Sequence, residues 1–403
     1  MNIVIAPDSF KNSLTALEVA AAMEEGIRRV YPKARCIKIP MADGGEGTVQ
    51  TLVDVMGGKF VSRQVMGPDK KTVTARYGLL NDGETAVIEM AEASGLPLVS
   101  GAAKNPLKTT SYGTGELLID AINAGARKIM IGLGGSATVD AGMGMAQALG
   151  VVFSDKHGRA IRQPGCGGLL DKIHAIDISG IHPGIKKTSI IILTDVTNTL
   201  YGKDGAAYVF GPQKGATPDM VKLLDTNLRY FGKLVRTGLG RNIVDFRGAG
   251  AAGGLGGGLM AFTKARVKNG FRFIAHMTTL GAFIEQADLV FTGEGRVDSQ
   301  TALGKTPIGV TRIARRLKVP VIAIGGGLAD DAGELFGAGI SGLGSSIVRD
   351  MSLDEALDNA PVYLANAAER AMRLVFTGQR LARRKNRQNN TEKFNQIKVL
   401  HQL

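Results

Sequence analysis

The sequence predicts an α/β protein whose main domain contains a doubly wound, parallel sheet. Apolar, β-branched runs end in polar loops, and segments with helical periodicity follow them, as in parallel sheets connected by helices. This pattern occupies residues 1–60 and recurs near the other end of the chain. The sequence also contains 55 glycines among 403 residues, roughly twice the usual share of about 7%. They cluster where the apolar runs end, which suits tight turns between strands and helices.

Two strands and two helices are predicted in the first 60 residues. Residues 2–6 and 36–41 are apolar runs bounded by polar segments, as expected of strands. A helix begins at about Thr15, where Thr15 and Glu18 match a capping box. A second helix follows the second strand and ends at the glycine pair 57–58.

Acidic residues follow both of these strands. Asp8 lies in the loop after the first strand, and Asp43 and Glu46 lie in the loop after the second. Because right-handed crossovers place the carboxyl ends of parallel strands at one edge of a sheet, we expect these loops to share an edge. The same acids could instead cap helices or form turns, positions that Asp also favours.

Residues 63–286 predict a second α/β domain, inserted between the two parts of the first. Alternating runs between about residues 60 and 100 indicate strands joined by hairpin turns. The remaining predicted elements are a helix at 114–124, a strand at 128–132, a strand at 189–196 and a helix at 218–235.

Glycine-rich turns accompany these middle elements. The turn at 132–150 contains Gly134, Gly135 and Ser136, whose backbone N–H groups could approach a phosphate or a carboxylate, although packing turns look the same. Asp195 ends the 189–196 strand, and Lys214 lies between two glycine turns. Residues 248–259 are too rich in glycine for a helix interior, and they predict a backbone-lined loop or a flexible linker.

A polar loop of unusual density follows the next strand. Residues 289–291 are a short apolar run, and Pro307 opens a helix. The loop between them supplies carboxylates and cations together, which suits an anionic ligand with a metal ion; an ordinary loop with solvated charges is the alternative. Its candidate residues are Gly293, Glu294, Arg296, Asp298 and Lys305.

The predicted domains are therefore residues 1–62 with 287–376, and residues 63–286. A long amphipathic helix is predicted at 353–375. Residues 377–403 contain seven basic residues and one acidic residue, nearly half of the net charge of +13, and we expect a disordered extension there. The modestly basic remainder suits an acidic substrate.

Composition excludes several classes of protein. The chain is 44% hydrophobic and 21% charged, as in globular proteins. Its beginning lacks the pattern of a signal peptide, and no apolar stretch approaches the roughly 18 residues of a membrane span. Cys36 and Cys166 match no metal-binding spacing and are expected to be free thiols. We therefore expect a cytoplasmic protein without membrane attachment.

Several chemistries lack the motifs that they need. The five histidines form no ligand pair, and no G-x-S-x-G elbow is present. The P-loop pattern fails because Ser299 stands where its first glycine belongs, and no G-x-G-x-x-G follows the first strand. Carboxylates, glycines and lysines at strand ends remain, and phosphoryl transfer requires little more.

Six motifs resemble the bacterial glycerate kinase type-1 family, and the resemblance extends from residue 1 to about 376. The resemblance implies a Rossmann-like domain and ATP-dependent phosphorylation of D-glycerate, giving 2-phosphoglycerate in many members. Two positions depart from the family pattern: Thr199 replaces a proline and Ala141 replaces a glycine. The motifs are APDSFKNS (6–13), ADGGEGT (42–48), GLGGSATVDAGMGMAQALG (132–150), VFGPQKGA (209–216), GAAGGLGGG (250–258) and TGEGRVDSQTALGKTP (292–307).

We assign hypothetical roles to the residues of these motifs. Asp195 is the candidate general base, and Asp43, Lys11 and Arg296 are further catalytic candidates. The candidate phosphate- or substrate-binding residues are Ser9, Asn12, Gly134, Gly135, Ser136, Lys214, Gly293 and Lys305. The candidate Mg²⁺ ligands are Glu46, Glu294 and Asp298, and the predicted active site lies in the cleft between the domains.

Other functions stay open from the sequence alone. The kinase could produce 3-phosphoglycerate or act on another hydroxy acid. The chain could be a module that binds an acidic metabolite without chemistry. A nucleic-acid partner is not expected, but residues 377–403 offer a basic segment through which one could bind. The oligomeric state is not predicted.

Overall fold

The computed structural model describes residues 1–299, 301 and 305–400, and their side chains as far as residue 385. The strands among these residues are β1 (Asn2–Ile5), β2 (Arg35–Lys38), β3 (Gly58–Met66), β4 (Thr72–Leu80), β5 (Thr85–Glu89), β6 (Lys128–Gly132), β7 (Val152–Ser154), β8 (Ala175–Asp177), β9 (Ser189–Leu193), β10 (Arg266–Lys268), β11 (Leu289–Val297), β12 (Val321–Leu328) and β13 (Gly342–Ser345).

The α-helices are α1 (Ala16–Val30), α2 (Thr48–Met56), α3 (Ala91–Ser94), α4 (Tyr112–Asn123), α5 (Met143–Ala148), α6 (Pro183–Lys187), α7 (Ala206–Phe210), α8 (Pro218–Leu239), α9 (Leu255–Phe262), α10 (Gly270–Met277), α11 (Leu280–Glu285), α12 (Thr306–Arg316), α13 (Leu335–Ala338), α14 (Leu353–Asp358) and α15 (Ala360–Leu400). The predicted capping box is confirmed, since Thr15 and Glu18 exchange their two hydrogen bonds at the start of α1. In the described part of the chain, no helix is both long enough and apolar enough to cross a membrane.

Backbone contacts divide the chain into two compact units. The terminal unit is Met1–Pro40 with Thr279–Leu403, and the middle unit is Met41–Thr278. The predicted boundaries, after residues 62 and 286, differ from the observed ones, after residues 40 and 278. Because α2 packs against β4 and β5, and β3 pairs with β4 along its whole length, the segment from residue 41 to 62 belongs to the middle unit.

The terminal unit contains a parallel five-stranded sheet in the order β13-β12-β11-β1-β2. Ile3 and Ile322 pack on one face with α1 and α15, whereas Ala323 packs on the other face with residues of α12 and α13. Helices on both faces confirm the predicted doubly wound class. Counted within this unit the strand order is 2-1-3-4-5, which reverses direction between β1 and β11 and opens a crevice at their carboxyl ends.

The middle unit contains a six-stranded mixed sheet in the order β10-β9-β6-β5-β4-β3. Strands β5, β6, β9 and β10 are parallel, and β3 and β4 complete the sheet as antiparallel strands. Residues that alternate along these strands, such as Ile129 and Ile131, are buried in one large apolar core. The four parallel strands therefore end at one edge of the sheet.

The glycine-rich stretch 248–259 corrects one prediction, because part of it is helical. Gly256, Gly257 and Gly258 lie inside α9. A Cβ on Gly256 would lie 2.4 Å from the carbonyl oxygen of Gly248, and one on Gly258 would lie 2.3 Å from that of Ala141. Close packing of backbone against backbone therefore outweighs the low helix propensity of glycine here.

The end of the chain corrects a second prediction. Residues 377–400 continue α15, where the composition predicts a disordered extension. The segment lacks Pro, has no Gly beyond Gly378, and is rich in Arg, Lys, Gln and Leu, which favour helices. The predicted helix at 353–375 is in fact two, because α14 ends at Asp358 and α15 begins at Ala360.

Candidate functional site

Asp195 lies at the carboxyl edge of the middle sheet, directly after β9. Its Oδ1 accepts hydrogen bonds from the backbone N–H of Gly270, at 2.9 Å, and from the Nδ2 of Asn269. Its Oδ2 is buried and has no hydrogen-bond partner among the described residues. A buried polar atom without a partner is costly, and it marks a position where a ligand can complete the hydrogen bonding.

The environment of Asp195 also changes its acidity. Burial, followed by the negative charge of Asp43, raises the pKa of Asp195 to about 6, while hydrogen bonds from the start of α10 oppose this shift. The carboxylate is therefore mostly ionised near neutral pH but is more basic than an exposed aspartate. This is the range in which a carboxylate can work as a general base.

The loop that carries Asp43 and Glu46 closes over the same sheet edge. Gly44 has a φ of +93°, and a Cβ there would lie 2.7 Å from the carbonyl oxygen of Leu193 at the end of β9. A Cβ on Gly270 would lie 1.8 Å from the carbonyl oxygen of Asp43. These glycines therefore allow the two acids, Asp43 and Asp195, to approach each other; Glu46 is exposed in the same loop.

Glu89 was not among the predicted site residues, although it occupies the same edge at the end of β5. Its Oε1 accepts a hydrogen bond of 2.8 Å from the backbone N–H of Val49, at the start of α2. Burial raises the pKa of Glu89 to about 7. From the sequence, Glu89 could have been recognised as a candidate because it is a single Glu at the end of the apolar run of β5.

The glycine-rich turn after β6 contains Gly134, Gly135 and Ser136. Lys214, from the motif between two glycine turns, is 2% exposed, and its Nζ donates hydrogen bonds of 2.7 Å each to the Oγ of Ser136 and the carbonyl oxygen of Thr138. Burial lowers the pKa of Lys214 to about 7. The structure thus gives Lys214 internal contacts that hold this turn in place.

A second missed acid, Asp140, supports the same turn. It is fully buried and accepts hydrogen bonds from the hydroxyl of Ser111, at 2.7 Å, and from the backbone N–H groups of Ser111, Gly142 and Gly144. The next residue, Ala141, has a φ of +51°. Glycine adopts this left-handed conformation more readily than alanine does.

In the terminal unit, the loops after β1 and β11 meet at the reversal of strand order. Thr306, at the first position of α12, donates a hydrogen bond of 2.6 Å to the Oδ2 of Asp8. Asp8 in turn accepts from the backbone N–H of Ser9 at 2.8 Å. Thr306 is buried, so this contact ties the start of α12 to the end of β1.

An ion-paired cluster lies at the end of β11 and in the loop after it. It consists of Glu294, Asp298 and Lys305. The Nζ of Lys305 lies 3.4 Å from the Oε2 of Glu294 and 3.7 Å from the Oδ1 of Asp298. The hydroxyl of Thr301 donates to the Oε1 of Glu294 at 2.6 Å. Burial raises the pKa of Glu294, and its contacts with Thr301 and Lys305 partly offset this effect.

The other predicted residues of the terminal unit occupy different settings. Lys11 and Arg296 are exposed, and Asn12 adopts a left-handed turn conformation with a φ of +61°. Gly293 has a packing role, since a Cβ there would lie 2.1 Å from the carbonyl oxygen of Ile324 in β12. The ligand-binding roles assigned to these residues stay predictions.

The predicted metal ligands are distributed over both units, with Glu46 in the middle unit and Glu294 and Asp298 in the terminal unit. Within the described ranges, no group of three or more His, Cys, Asp or Glu side chains is arranged to hold a metal ion. Magnesium sites that also use substrate phosphates need only one or two protein carboxylates. The pair formed by Glu294 and Asp298 meets that smaller requirement.

Comparison with known proteins identifies relatives along nearly the whole chain. The model of the glycerate kinase family matches residues 3–376. A glycerate kinase from Halalkalibacterium halodurans is 49% identical over 366 residues, covering 91% of this chain and 96% of the relative. A glycerate 2-kinase from Escherichia coli is 45% identical over 382 residues, covering 95% and 100%.

A solved structure agrees with these relatives. The crystal structure assigned as glycerate kinase 2 from Salmonella typhimurium superposes with a TM-score of 0.83 at 46% sequence identity, covering 94% of this chain and all of that one. The match of the family model, the two relatives and this fold all extend over both units. The chain therefore belongs to the glycerate kinase family, whose members are phosphotransferases.

Proposed function

We propose that the chain transfers the γ-phosphoryl group of ATP to the 2-hydroxyl of D-glycerate, giving 2-phosphoglycerate and ADP. The observation that carries this proposal is the Asp195 carboxylate, which has one oxygen held by two donors and the other buried without a partner among the described residues. An acceptor hydroxyl can donate its hydrogen bond to the unpartnered oxygen. The names of the family relatives agree with glycerate as the acceptor.

Asp195 acts as the general base. As the glycerate oxygen forms its bond to the γ-phosphorus, the bond from that phosphorus to the β,γ-bridging oxygen breaks, and ADP leaves. The hydroxyl proton passes to the Oδ2 of Asp195. A pKa of about 6 allows this carboxylate to be ionised before the transfer and to hold the proton afterwards.

Asp43 contributes through its charge. It makes Asp195 more basic, because two nearby carboxylates disfavour each other's ionisation. The loop around Asp43 is kept against the sheet edge by the glycines at positions 44 and 270. The buried contacts of Lys214 keep the turn at Ser136 in its conformation.

The nucleotide phosphates are assigned to the terminal unit. Lys305 supplies positive charge, and the positive end of the α12 dipole lies beside it. Glu294 and Asp298 would hold Mg²⁺, which when bound neutralises phosphate charge. Lys11 and Arg296, both exposed, are further cations for phosphate binding in this proposal.

An ADP-release assay with ATP, Mg²⁺ and D-glycerate tests the proposal, provided that 2-phosphoglycerate and 3-phosphoglycerate are resolved. Turnover to 2-phosphoglycerate is expected. Turnover to the 3-isomer would reject the assigned hydroxyl, and ADP release only with another hydroxy acid would reject glycerate. Nucleotide binding without ADP release for any hydroxy acid would support a binding module instead.

A further inference from the structure

Asn269 makes two hydrogen bonds that together determine the orientation of its amide. It is the N-cap of α10, and its Oδ1 accepts a hydrogen bond of 2.9 Å from the backbone N–H of Arg272. Its Nδ2 donates to the Oδ1 of Asp195. The N–H of Arg272 can only donate and the Asp195 carboxylate can only accept, so a flipped amide would lose both contacts.

The consequence for Asp195 is an asymmetric carboxylate. Two donors from the start of α10, the Nδ2 of Asn269 and the backbone N–H of Gly270, reach the same oxygen, Oδ1. The backbone N–H of Phe271 also favours the ionised carboxylate. The other oxygen, Oδ2, is left buried without a described partner. Turning the plane of the carboxylate away from this orientation would break the hydrogen bonds at Oδ1, so the two donors hold the plane in place.

We propose that Asn269 is a positioning residue, which holds the Asp195 carboxylate so that Oδ2 is the oxygen presented to the acceptor hydroxyl. This inference rests on the proposed kinase function and deepens it. Asn269 has no contact with the reacting atoms in this role. It acts by fixing the direction and the protonation state of the base.

The charged groups that act on Asp195 define what a variant should change. Asp43, in the loop before α2, disfavours its ionisation, and Arg272, in α10, favours it. Loss of the Asn269 donor removes a hydrogen bond to the ionised form, so the pKa of Asp195 should rise. A second carboxylate at position 269 should raise it further.

Two variants separate positioning from helix capping. Asn269→Ser and Asn269→Asp both retain a side-chain oxygen that can cap α10, but neither ionised Asp nor a capping Ser donates as the amide does. Both should lower kcat, by up to about 100-fold for a misdirected base. The acidic limb of the kcat/KM profile should move to higher pH, and further for Asn269→Asp than for Asn269→Ser.

Ser352→Ala is the matched control, since Ser352 caps α14 by accepting from the backbone N–H of Glu355 at 3.1 Å. It should lose stability without a change in kcat or in the pH profile. Thermal unfolding of every variant establishes that each is folded at the assay temperature.

The outcomes distinguish this inference from the function on which it depends. A wild-type protein without ADP release would remove the kinase function itself. An active wild-type protein, with both Asn269 variants within about twofold of its kcat and with an unmoved acidic limb, would overturn the positioning role alone. A folded Asn269→Ser variant with a reduced kcat, and with the acidic limb of its kcat/KM profile moved to higher pH, would support the positioning role.

Discussion

The carboxylates at the edge of the middle sheet and those at the edge of the terminal sheet have different partners. In the middle unit, Asp195 has donors on one oxygen, a nearby acid and no described cation in direct contact. In the terminal unit, Glu294 and Asp298 share the ammonium group of Lys305. A carboxylate with an unused, buried acceptor suits proton transfer, whereas carboxylates that already share a cation suit the binding of charged groups.

The first way to break this comparison is to remove the proposed base. Asp195→Asn should lower kcat by about 10³-fold, because an amide cannot accept the hydroxyl proton. Asp219→Asn is the matched control, since Asp219 is exposed in α8 and pairs with Lys222. Steady-state rates of ADP release measure both, and a variant at position 195 with near-normal kcat would exclude Asp195 from the mechanism.

Glu294→Gln tests the role of the carboxylates in the terminal unit. The substitution removes one of the two carboxylates beside Lys305, so we expect KM for ATP to rise by about tenfold and the Mg²⁺ dependence to weaken. The same change at Glu25, whose side chain is 63% exposed and pairs with Arg29, is the control. If Glu294→Gln altered only kcat and left the ATP and Mg²⁺ dependence unchanged, the assignment of phosphate binding to this edge would be incorrect.

Ionised Asp195 should also lower the stability of the folded protein. The folded-state pKa of Asp195 is about 6, above the ordinary value of 3.8 for an aspartate, so the folded protein binds this proton more tightly than the unfolded chain. Stability is therefore lost as pH rises between these two values. Asp195→Asn should be more stable at about pH 8 by at most about 3 kcal/mol.

The stability that Asp195→Asn gains over the wild type should disappear at about pH 3.5, where the folded and the unfolded wild-type chain both hold the proton. Thermal unfolding at the two pH values measures it. A variant that is less stable than the wild type at the higher pH would show that ionised Asp195 supports the fold instead.

The smallest expected effect concerns the turn that supports this edge. Ala141 has a φ of +51°, so Ala141→Gly should stabilise the protein by about 1 kcal/mol. Because the side chain is a single methyl group in the core, kcat should not change. Chemical denaturation and the ADP-release assay check the two halves of this prediction, and a loss of stability would mean that packing of the methyl group outweighs the backbone strain.

Some features of the candidate site could be predicted because they depend on strand ends. The strands before Asp8 and Asp43, β1 and β2, are paired in parallel, as the sequence predicted. The approach of Asp43 to Asp195 could not be predicted, because β2 and β9 belong to different sheets. Glu89 was missed, since an isolated acid at the end of an apolar run has no motif of its own. Asp140 was missed although it lies in the motif at 132–150, because the hydrogen bonds that it accepts from Ser111 form only in the folded chain. Asn269 was missed because its significance depends on contact with a residue 74 positions away.

The sequence by itself determined the local structure of this protein. Its apolar runs, its capping box at Thr15 and its glycine pairs specify strands, helix starts and helix ends through interactions between neighbouring residues. Its motifs were sufficient to indicate the family. Helix α9 was one exception, because the packing of its glycines depends on backbone from distant segments. The helical end of the chain and the break between α14 and α15 were others.

Only the tertiary structure decided which oxygen of Asp195 is free and which ammonium group is buried. Lys214 reaches Ser136 across 78 positions, and Asn269 reaches Asp195 across 74. The contact between Asn269 and Asp195 follows from the pairing of β9 with β10, which brings these strand ends together regardless of their separation in the chain. The pKa values follow from burial in that arrangement, and burial is a property of the folded chain.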